Sequence, residues 1–325
     1  MNARSALWRR GVGWTLRVTL VLSAVVVLGG AAGWLWDRSE EQAFWDLGLE
    51  PPGEWVQLGD RRIHIVVRGA GSPGVLFISG GGDGHESFRE VQESIAAETL
   101  TVTYDRVGLK WSPTAEGAAS IDQHVDDVGS LISDAGLFDG PVVLVGHSYG
   151  GTIARVAAER FPELVGGVVL LDAAEAYAIP PEGNRFLKSM RFRNAVAGSL
   201  GITRWRYYRE NQDLTHEERL RRAHLSGRGG RHRRESYLYI REALDYGPPP
   251  SAAGTLGSMP LTVISATNHG ARTELPEQDR MAALSEEGRQ IDADTGHYVH
   301  WDDPGLVISE VRRMVQQLRG DGATR

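Results

Sequence analysis

Residues 141–157 read PVVLVGHSYGGTIARVA. A β-branched run, Val142–Val145, stops at Gly146. His147, Ser148, Tyr149, Gly150 and Gly151 follow, and then a segment with helical apolar spacing. This is G-x-S-x-G between a strand and a helix, the context of a nucleophile elbow. A serine on so sharp a turn brings backbone close on both sides, and side chains at 146 and 150 would clash. The turn lifts the Ser148 hydroxyl above the sheet edge and sets it at a helix start, where the dipole favours negative charge. It also aims the backbone N–H of Tyr149 at an oxyanion forming beside the serine. Glycine is 40 of 325 residues, so the five-residue pattern alone arises easily by chance; the flanking strand and helix make it specific. Such a serine needs a base, an acid to orient that base, and a second oxyanion donor.

Outward from this stretch, apolar runs and helical spacing alternate. Val56–Leu58 and Ile63–Val67 read as a hairpin across Gly59-Asp60, with alternation in HIVVR. Residues 74–78, GVLFI, form a continuous apolar run, as in a strand buried on both faces, followed at once by a glycine-rich turn. Phe88–Ala97 has helical spacing, Leu100–Tyr104 is the next strand, and Ile121–Leu137 is an amphipathic helix. The elbow strand and its helix come next, then the strand Gly167–Leu171. Alternation of this kind predicts a parallel sheet with crossover helices on both faces. It breaks after Asp172. Roughly the stretch 173–257 is polar, helical in places and rich in arginine. Leu261–Ile264 resumes the strand pattern, Leu275–Leu284 reads as a helix and Arg289–Ala293 as a last strand. Asp303–Leu318 is a final helix, with Asp303 as N-cap and Pro304 in its first turn.

Composition bounds the function. Net charge is −7, which argues against nucleic acid as the partner, and the absence of cysteine excludes disulfides and thiolate chemistry. At the N-terminus, Val18–Trp36 carries no charge for 19 residues, roughly 28 Å as a helix and close to the thickness of a bilayer core. Arg4, Arg9, Arg10 and Arg17 precede it; Asp37, Glu40 and Glu41 follow. The positive-inside rule then predicts a cytoplasmic basic segment 1–17, a transmembrane signal anchor 18–36 with Trp34 and Trp36 at the far interface, and an extracytoplasmic body. Cleavage near Gly30-Ala31-Ala32-Gly33, giving a secreted protein, is the alternative. Residues 37–53 read as a linker closed by Pro51-Pro52-Gly53, and 320–325 as a tail.

Five segments in order, SGGGDG at 79–84, YDRVGLKWS at 104–112, GHSYGG at 146–151, VVLLDAA at 168–174 and GHYVHWDDP at 296–304, resemble the α/β-hydrolase fold superfamily over residues 54–319, in its serine hydrolase and esterase-like branch. The resemblance implies a mostly parallel twisted sheet with helices on both faces and a helical lid, here at about 173–257. It implies that the histidine after the last strand, His297, is the base; His147, His269 and His300 are the rivals nearest in position. Gly81 is implied as the second oxyanion donor beside Tyr149, with Gly82 as alternate. The acid has two candidates. The usual slot after the strand that follows the lid holds Asn268 and His269, and the first carboxylate there is Glu274. A family variation places the acid after the preceding strand, where Asp172 stands. Asp172 is preferred and Glu274 is the alternate.

The expected activity is hydrolysis of small or medium acyl esters through an acyl-enzyme on Ser148, with no cofactor or metal. A serine in that slot sets the chain apart from dehalogenases and epoxide hydrolases, which resemble it with an aspartate there. An aminopeptidase or amidase is the alternative within the class, with Glu210 or Glu235 binding a free amine. A catalytically silent, membrane-tethered binding protein is the alternative outside it, and the distance from Asp172 or Glu274 to His297 decides between them. Between Arg219 and Arg234 lie seven arginines and no acid, a solvated face or a basic lid for anionic lipid. Phe186, Trp205, Tyr207, Tyr208 and Tyr237 are candidates to line an acyl site.

Overall fold

A computed structural model describes residues 3–113, 120–173, 181–246, 252–268 and 280–323. Eight strands form one sheet: β1 (Glu54–Leu58), β2 (Arg61–Arg68), β3 (Val75–Ile78), β4 (Thr101–Asp105), β5 (Val142–His147), β6 (Val165–Leu171), β7 (Leu261–Ala266) and β8 (Gly288–Ala293). Their order is β1-β2-β4-β3-β5-β6-β7-β8. β1 and β2 are the predicted hairpin, and β2 pairs antiparallel with β4; every other pair is parallel. The central strands are apolar throughout because both faces are covered, and their two-residue period sorts them. Leu76, Ile78, Leu144, Leu170 and Val263 join one core with Val125 and Val128 of α3 (Ile121–Ser133) and Ile153 of α4 (Tyr149–Arg160). Phe77, Val143, Val145, Val169 and Leu171 join the other with Val307, Val311 and Met314 of the C-terminal helix Pro304–Ala323. Asp303 caps that helix as predicted, its carboxylate accepting from the Leu306 N–H at 2.9 Å.

The chain runs from β3 outward to β4, then returns to place β5 on the other side of β3. This is a topological switch point, where an open α/β sheet leaves a crevice at the carboxyl ends of its strands. The glycine-rich turn 79–84 leaves β3 and Ser148 leaves β5, so the two segments face one another there. Local boundaries moved little. The helix expected at Phe88–Ala97 is a 3₁₀ turn, His85–Phe88, followed by α2 (Arg89–Ile95). Half of the helix expected at Leu275–Leu284 lies outside the described residues.

Two compact units are distinguished: Glu50–Phe192 with Glu235–Arg325, which holds the whole sheet, and Met1–Leu49 with Arg193–Arg234. In the second, α1 runs from Ala3 to Asp46. The stretch assigned to a linker from residue 37 is therefore helical for its first ten positions. The reason is packing: Gly30, Gly33, Asp37, Glu41 and Phe44 recur at helical spacing on one face, and residues 193–234 cover that face. Arg204, fully buried, donates through Nε to Asp37 at 2.8 Å and through Nη2 to Glu41 at 3.1 Å. The Gly230 N–H also donates to Asp37, and Tyr208 donates to Glu40 at 2.7 Å. Phe44 stacks on His224 with ring centroids 3.7 Å apart. The insertion 173–257 is thus divided, its middle belonging with α1.

Candidate active site

The elbow has the geometry its glycines predict. A Cβ on Gly146 would lie 2.5 Å from the Gly150 carbonyl oxygen, and one on Gly150 would lie 2.1 Å from the Ile78 oxygen and 2.6 Å from that of Ser79. The turn after β3 therefore rests directly on the first turn of α4. Ser148 sits at φ 52°, ψ −120°, a conformation costly for a residue with a Cβ. Its N–H donates to the Leu171 carbonyl at 3.0 Å, and its own carbonyl accepts from Gly151, which fixes the turn between β5, β6 and α4.

His297 Nε2 lies 3.0 Å from Ser148 Oγ, and His297 Nδ1 lies 2.5 Å from Asp172 Oδ2. The structure thus brings Ser148, His297 and Asp172 into one hydrogen-bonded line. Asp172 is buried at 1% exposure, and its other oxygen accepts from the Ala266 N–H at 3.4 Å. Its backbone, at φ 38°, is strained like that of Ser148; only Lys110 shares a positive φ among the described residues other than glycine. The Asp172 N–H donates to Ile264 of β7 at 2.7 Å. Here lies the physical reason that Asp172 reaches His297. The carboxyl ends of β6 and β7 are hydrogen-bonded neighbours in parallel register, Leu171 opposite Ile264, so a carboxylate on either end reaches the same histidine. Glu274 lies outside the described residues.

Of the rival histidines, His147 and His300 belong to the support of this line, and His269 lies outside the described residues. His147 Nε2–H donates to the His297 carbonyl at 2.8 Å, and its ring lies 4.6 Å from that of His300. Burial holds the His147 pKa down to about 3, the neighbouring His297 adding to the effect. His300 is pushed down to about 2 by burial and by His147; its Nε2 meets Ser87 Oγ at 2.9 Å and its ring stacks on Phe88. Asp302 accepts from the Gly296 N–H at 2.7 Å, and Trp301 donates to the Ser87 carbonyl at 2.8 Å. Two neutral buried imidazoles and these bonds fix the loop that carries His297. The supporting role of His147 was missed in the sequence, although its place beside the serine was a visible signal.

The turn 79–84 is held from below by Arg106, to which the sequence alone assigned no role. Its guanidinium, 1% exposed, donates to the Ser79 and Gly80 carbonyls, each at 2.5 Å. With those two carbonyls drawn to the arginine, the Asp83 N–H closes the turn on Gly80 at 3.1 Å. Gly82 takes φ 109°, which requires glycine. The Ser236 hydroxyl lies 3.5 Å from the Gly81 carbonyl. Tyr149 opens α4, its ring parallel to that of Tyr239 and 5.5 Å from the Arg106 guanidinium. Asp83 is raised by burial, against the pull of Lys110 and Arg106, and bonds Tyr298, whose pKa is pushed up to about 12 by burial and by that carboxylate.

Among the described residues one group has the spacing of a metal site: His64, His85 and Asp105, with donor atoms within 4.8 Å of one another. The group closes on itself. Asp105 faces His64 Nδ1 at 2.8 Å and His85 Nδ1 at 3.1 Å, and accepts from the His85 and Trp111 N–H groups. His64 Nε2–H donates to the Pro52 carbonyl. These bonds tie β2, β4 and the 3₁₀ turn together beside the turn 79–84. Glu210 and Glu235 are the carboxylates considered for a free amine. Glu235 packs against Gly108, and Glu210 is exposed on α6 (Ile202–Glu210) with Arg206 at 3.7 Å. Among the aromatics considered for an acyl site, Phe186 and Trp205 are exposed, and Tyr208 is bonded to Glu40.

Comparison with known proteins places the fold in a family. The sequence profile of the Alpha/beta hydrolase family matches residues 75–310. Lipase LipV of Mycobacterium tuberculosis is 46% identical over 72 residues, 22% of this chain and 26% of the lipase. Three further curated relatives are matched over only 22%, 19% and 42% of their own length. Among solved structures, a thermophilic esterase from Thermogutta terrifontis superposes with a TM-score of 0.64 at 19% identity, covering 82% of this chain and 99% of the esterase. A bacterial membrane phospholipase A gives 0.64 at 18% identity, covering 96% and 99%. Epoxide hydrolases superpose at comparable scores. The family match runs from β3 to the C-terminal helix, and the chain belongs to the alpha/beta hydrolase family.

Proposed function

We propose that the protein is a membrane-tethered serine hydrolase that cleaves carboxylic esters through an acyl-enzyme. The observation that carries this reading is the unbroken line from Ser148 Oγ through His297 to Asp172, at 3.0 and 2.5 Å. Asp172 accepts from Nδ1–H and so leaves Nε2 as the free base, aimed at the serine. Ser148 attacks the ester carbonyl as His297 takes its proton. The tetrahedral oxyanion is held by the N–H groups of Tyr149 and Gly81, the latter fixed by the grip of Arg106 on the turn. His297 then returns the proton to the departing alcohol. Water, activated by the same nitrogen, releases the acid and restores Ser148.

The fold alone does not choose ester over epoxide; the side chain at 148 does, because a serine on this turn forms an acyl-enzyme. The names of the relatives, a lipase, an esterase and a membrane phospholipase, support the ester class. Helix α1 is long and apolar enough to cross a membrane. Its flanking charges support a cytoplasmic N-terminus, with the hydrolase body on the other side. The test is hydrolysis of a series of p-nitrophenyl esters of increasing chain length by the full chain in detergent. Turnover by the parent and none above background by Ser148→Ala is the expected result. Equal rates for the two would overturn the reading. Turnover of aminoacyl anilides in preference to esters would move it to the amidase class.

A further inference from the structure

We propose that the segment Leu200–Arg209 is a second membrane contact, dipping into the outer interface beside α1 through Leu200, Ile202 and Trp205. The inference rests on α1 crossing the bilayer and not on the hydrolytic mechanism. Its starting point is where the insertion meets the helix. Along Thr19–Gly29 the side chains of α1 are exposed among the described residues. Cover begins at Gly30 and Gly33. A Cβ on Gly30 would touch the Leu200 side chain at 3.4 Å, and one on Gly33 would lie 2.3 Å from the Leu200 carbonyl oxygen. Gly201, at φ 72°, returns the fit: a Cβ there would lie 2.8 Å from the Gly33 oxygen and 2.9 Å from the Trp36 ring. Glycine faces glycine, and the two backbones meet closely.

Those contacts fall inside the apolar span. At 1.5 Å per residue, Gly30 lies about 9 Å below Trp36 along the axis and Gly33 about 4–5 Å below it. The span cannot be moved to avoid them. A bilayer core needs about 20 residues. A span ending before Gly30 would begin near Arg10 and hold Arg17 close to its centre, where an arginine is costly. So Leu200 sits at a depth where the surroundings of α1 are lipid.

The exposed side chains there suit that place. Ile202 and Trp205, one turn apart on α6, are 50% and 53% exposed, and Trp34 and Leu35 of α1 are exposed as well. Arg209 lies 5.4 Å from the Trp205 ring, and the Arg206 side chain reaches solvent. Apolar and aromatic residues with arginines beside them are the composition of a helix lying in an interface, buried roughly 5–10 Å. The contact proposed here is apolar. Of the basic stretch 219–234, Arg231 is held by Glu41 at 3.0 Å, while Arg219 and Arg228 lie over Tyr208 and Tyr207.

The chain has no cysteine, so single nitroxide labels can be placed cleanly. Ile202→Cys and Trp205→Cys are labelled in the full chain reconstituted in phosphatidylcholine vesicles, with Val26→Cys on α1 and Glu217→Cys on the same unit as references. Relaxation by oxygen reports lipid, and relaxation by a nickel chelate reports water. The expected result is that labels at 202 and 205 follow that at 26, with the nickel effect several-fold weaker than at 217. If 26 reads lipid while 202 and 205 both read as 217 does, the second contact is overturned and the anchor stands. If 26 itself reads water, the anchor is overturned, and the second contact with it.

Discussion

Two buried carboxylates of this protein are built to opposite ends. Asp172 meets a histidine through one oxygen at 2.5 Å and a backbone N–H through the other, on a backbone at positive φ. Asp37 meets a buried arginine at 2.8 Å and the Gly230 N–H at 2.9 Å, on regular helical backbone near the C-terminal end of α1. An arginine never gives up its proton, so the Asp37 pair is a fixed charge pair whose work is to hold α1 to residues 193–234. A histidine can gain and lose a proton, so the Asp172 pair can support a charge that comes and goes during a reaction. The strain differs in the same sense: it is stored at Asp172 and Ser148 and absent at Asp37. On the proposed reading the same side chain is a reactive part in one place and a fastener in the other, and the partner decides which.

The largest expected effect breaks the reactive half. Asp172→Asn keeps the shape and removes the charge that selects the tautomer of His297. A fall in kcat of about 10⁴-fold is expected, with the thermal midpoint nearly unchanged, measured on the best ester of the series. The mirror experiment breaks the fastener. Arg204→Leu strands Asp37 and Glu41 in a buried site, and a loss of about 3–5 kcal/mol is expected for the unit formed by α1 and residues 193–234. Proteolysis within 193–234 would report it, and removal of the acids together with Arg204 should restore part of the loss. A third change tests a fastener that serves the reaction. Arg106→Gln loosens the turn 79–84, and kcat should fall about 10- to 100-fold with KM little changed, less than the loss of an oxyanion donor itself. A matching rise in KM would instead point to substrate contact.

The smallest effect concerns pH. His147 and His300 have folded pKa values depressed to about 3 and about 2, below the unfolded value of about 6.5. The unfolded chain therefore binds the extra protons first. Their stabilising contribution is full above pH 6.5 and is lost as pH falls from there towards 3. Between pH 6.5 and 5.5 each should contribute a loss of about 1 kcal/mol, read from urea midpoints, and His300→Gln should remove one share of that slope.

What the sequence revealed follows from how local each cause is. The elbow was legible because its glycines answer clashes within five residues. The parallel sheet was legible because burial on both faces leaves unbroken apolar runs. The acid stayed divided between Asp172 and Glu274 because the choice depends on β6 and β7 lying side by side, with the insertion between them in sequence. The helical continuation past Trp36 was hidden for a similar reason. The recurrence of Gly30, Gly33, Asp37, Glu41 and Phe44 was there to be seen, but the partner of Asp37, Arg204, lies 167 residues away. The role of Arg106 was hidden because two backbone carbonyls leave no trace in side-chain chemistry.

The most direct test of the central claim is the rate at which a fluorophosphonate modifies the full chain in detergent, followed by intact mass for the parent, Ser148→Ala and Asp172→Asn. A single adduct on the parent, none on Ser148→Ala, and modification of Asp172→Asn slowed by about 10³-fold or more are the predicted results. No adduct on folded parent protein, or equal rates for the parent and Asp172→Asn, would contradict the account.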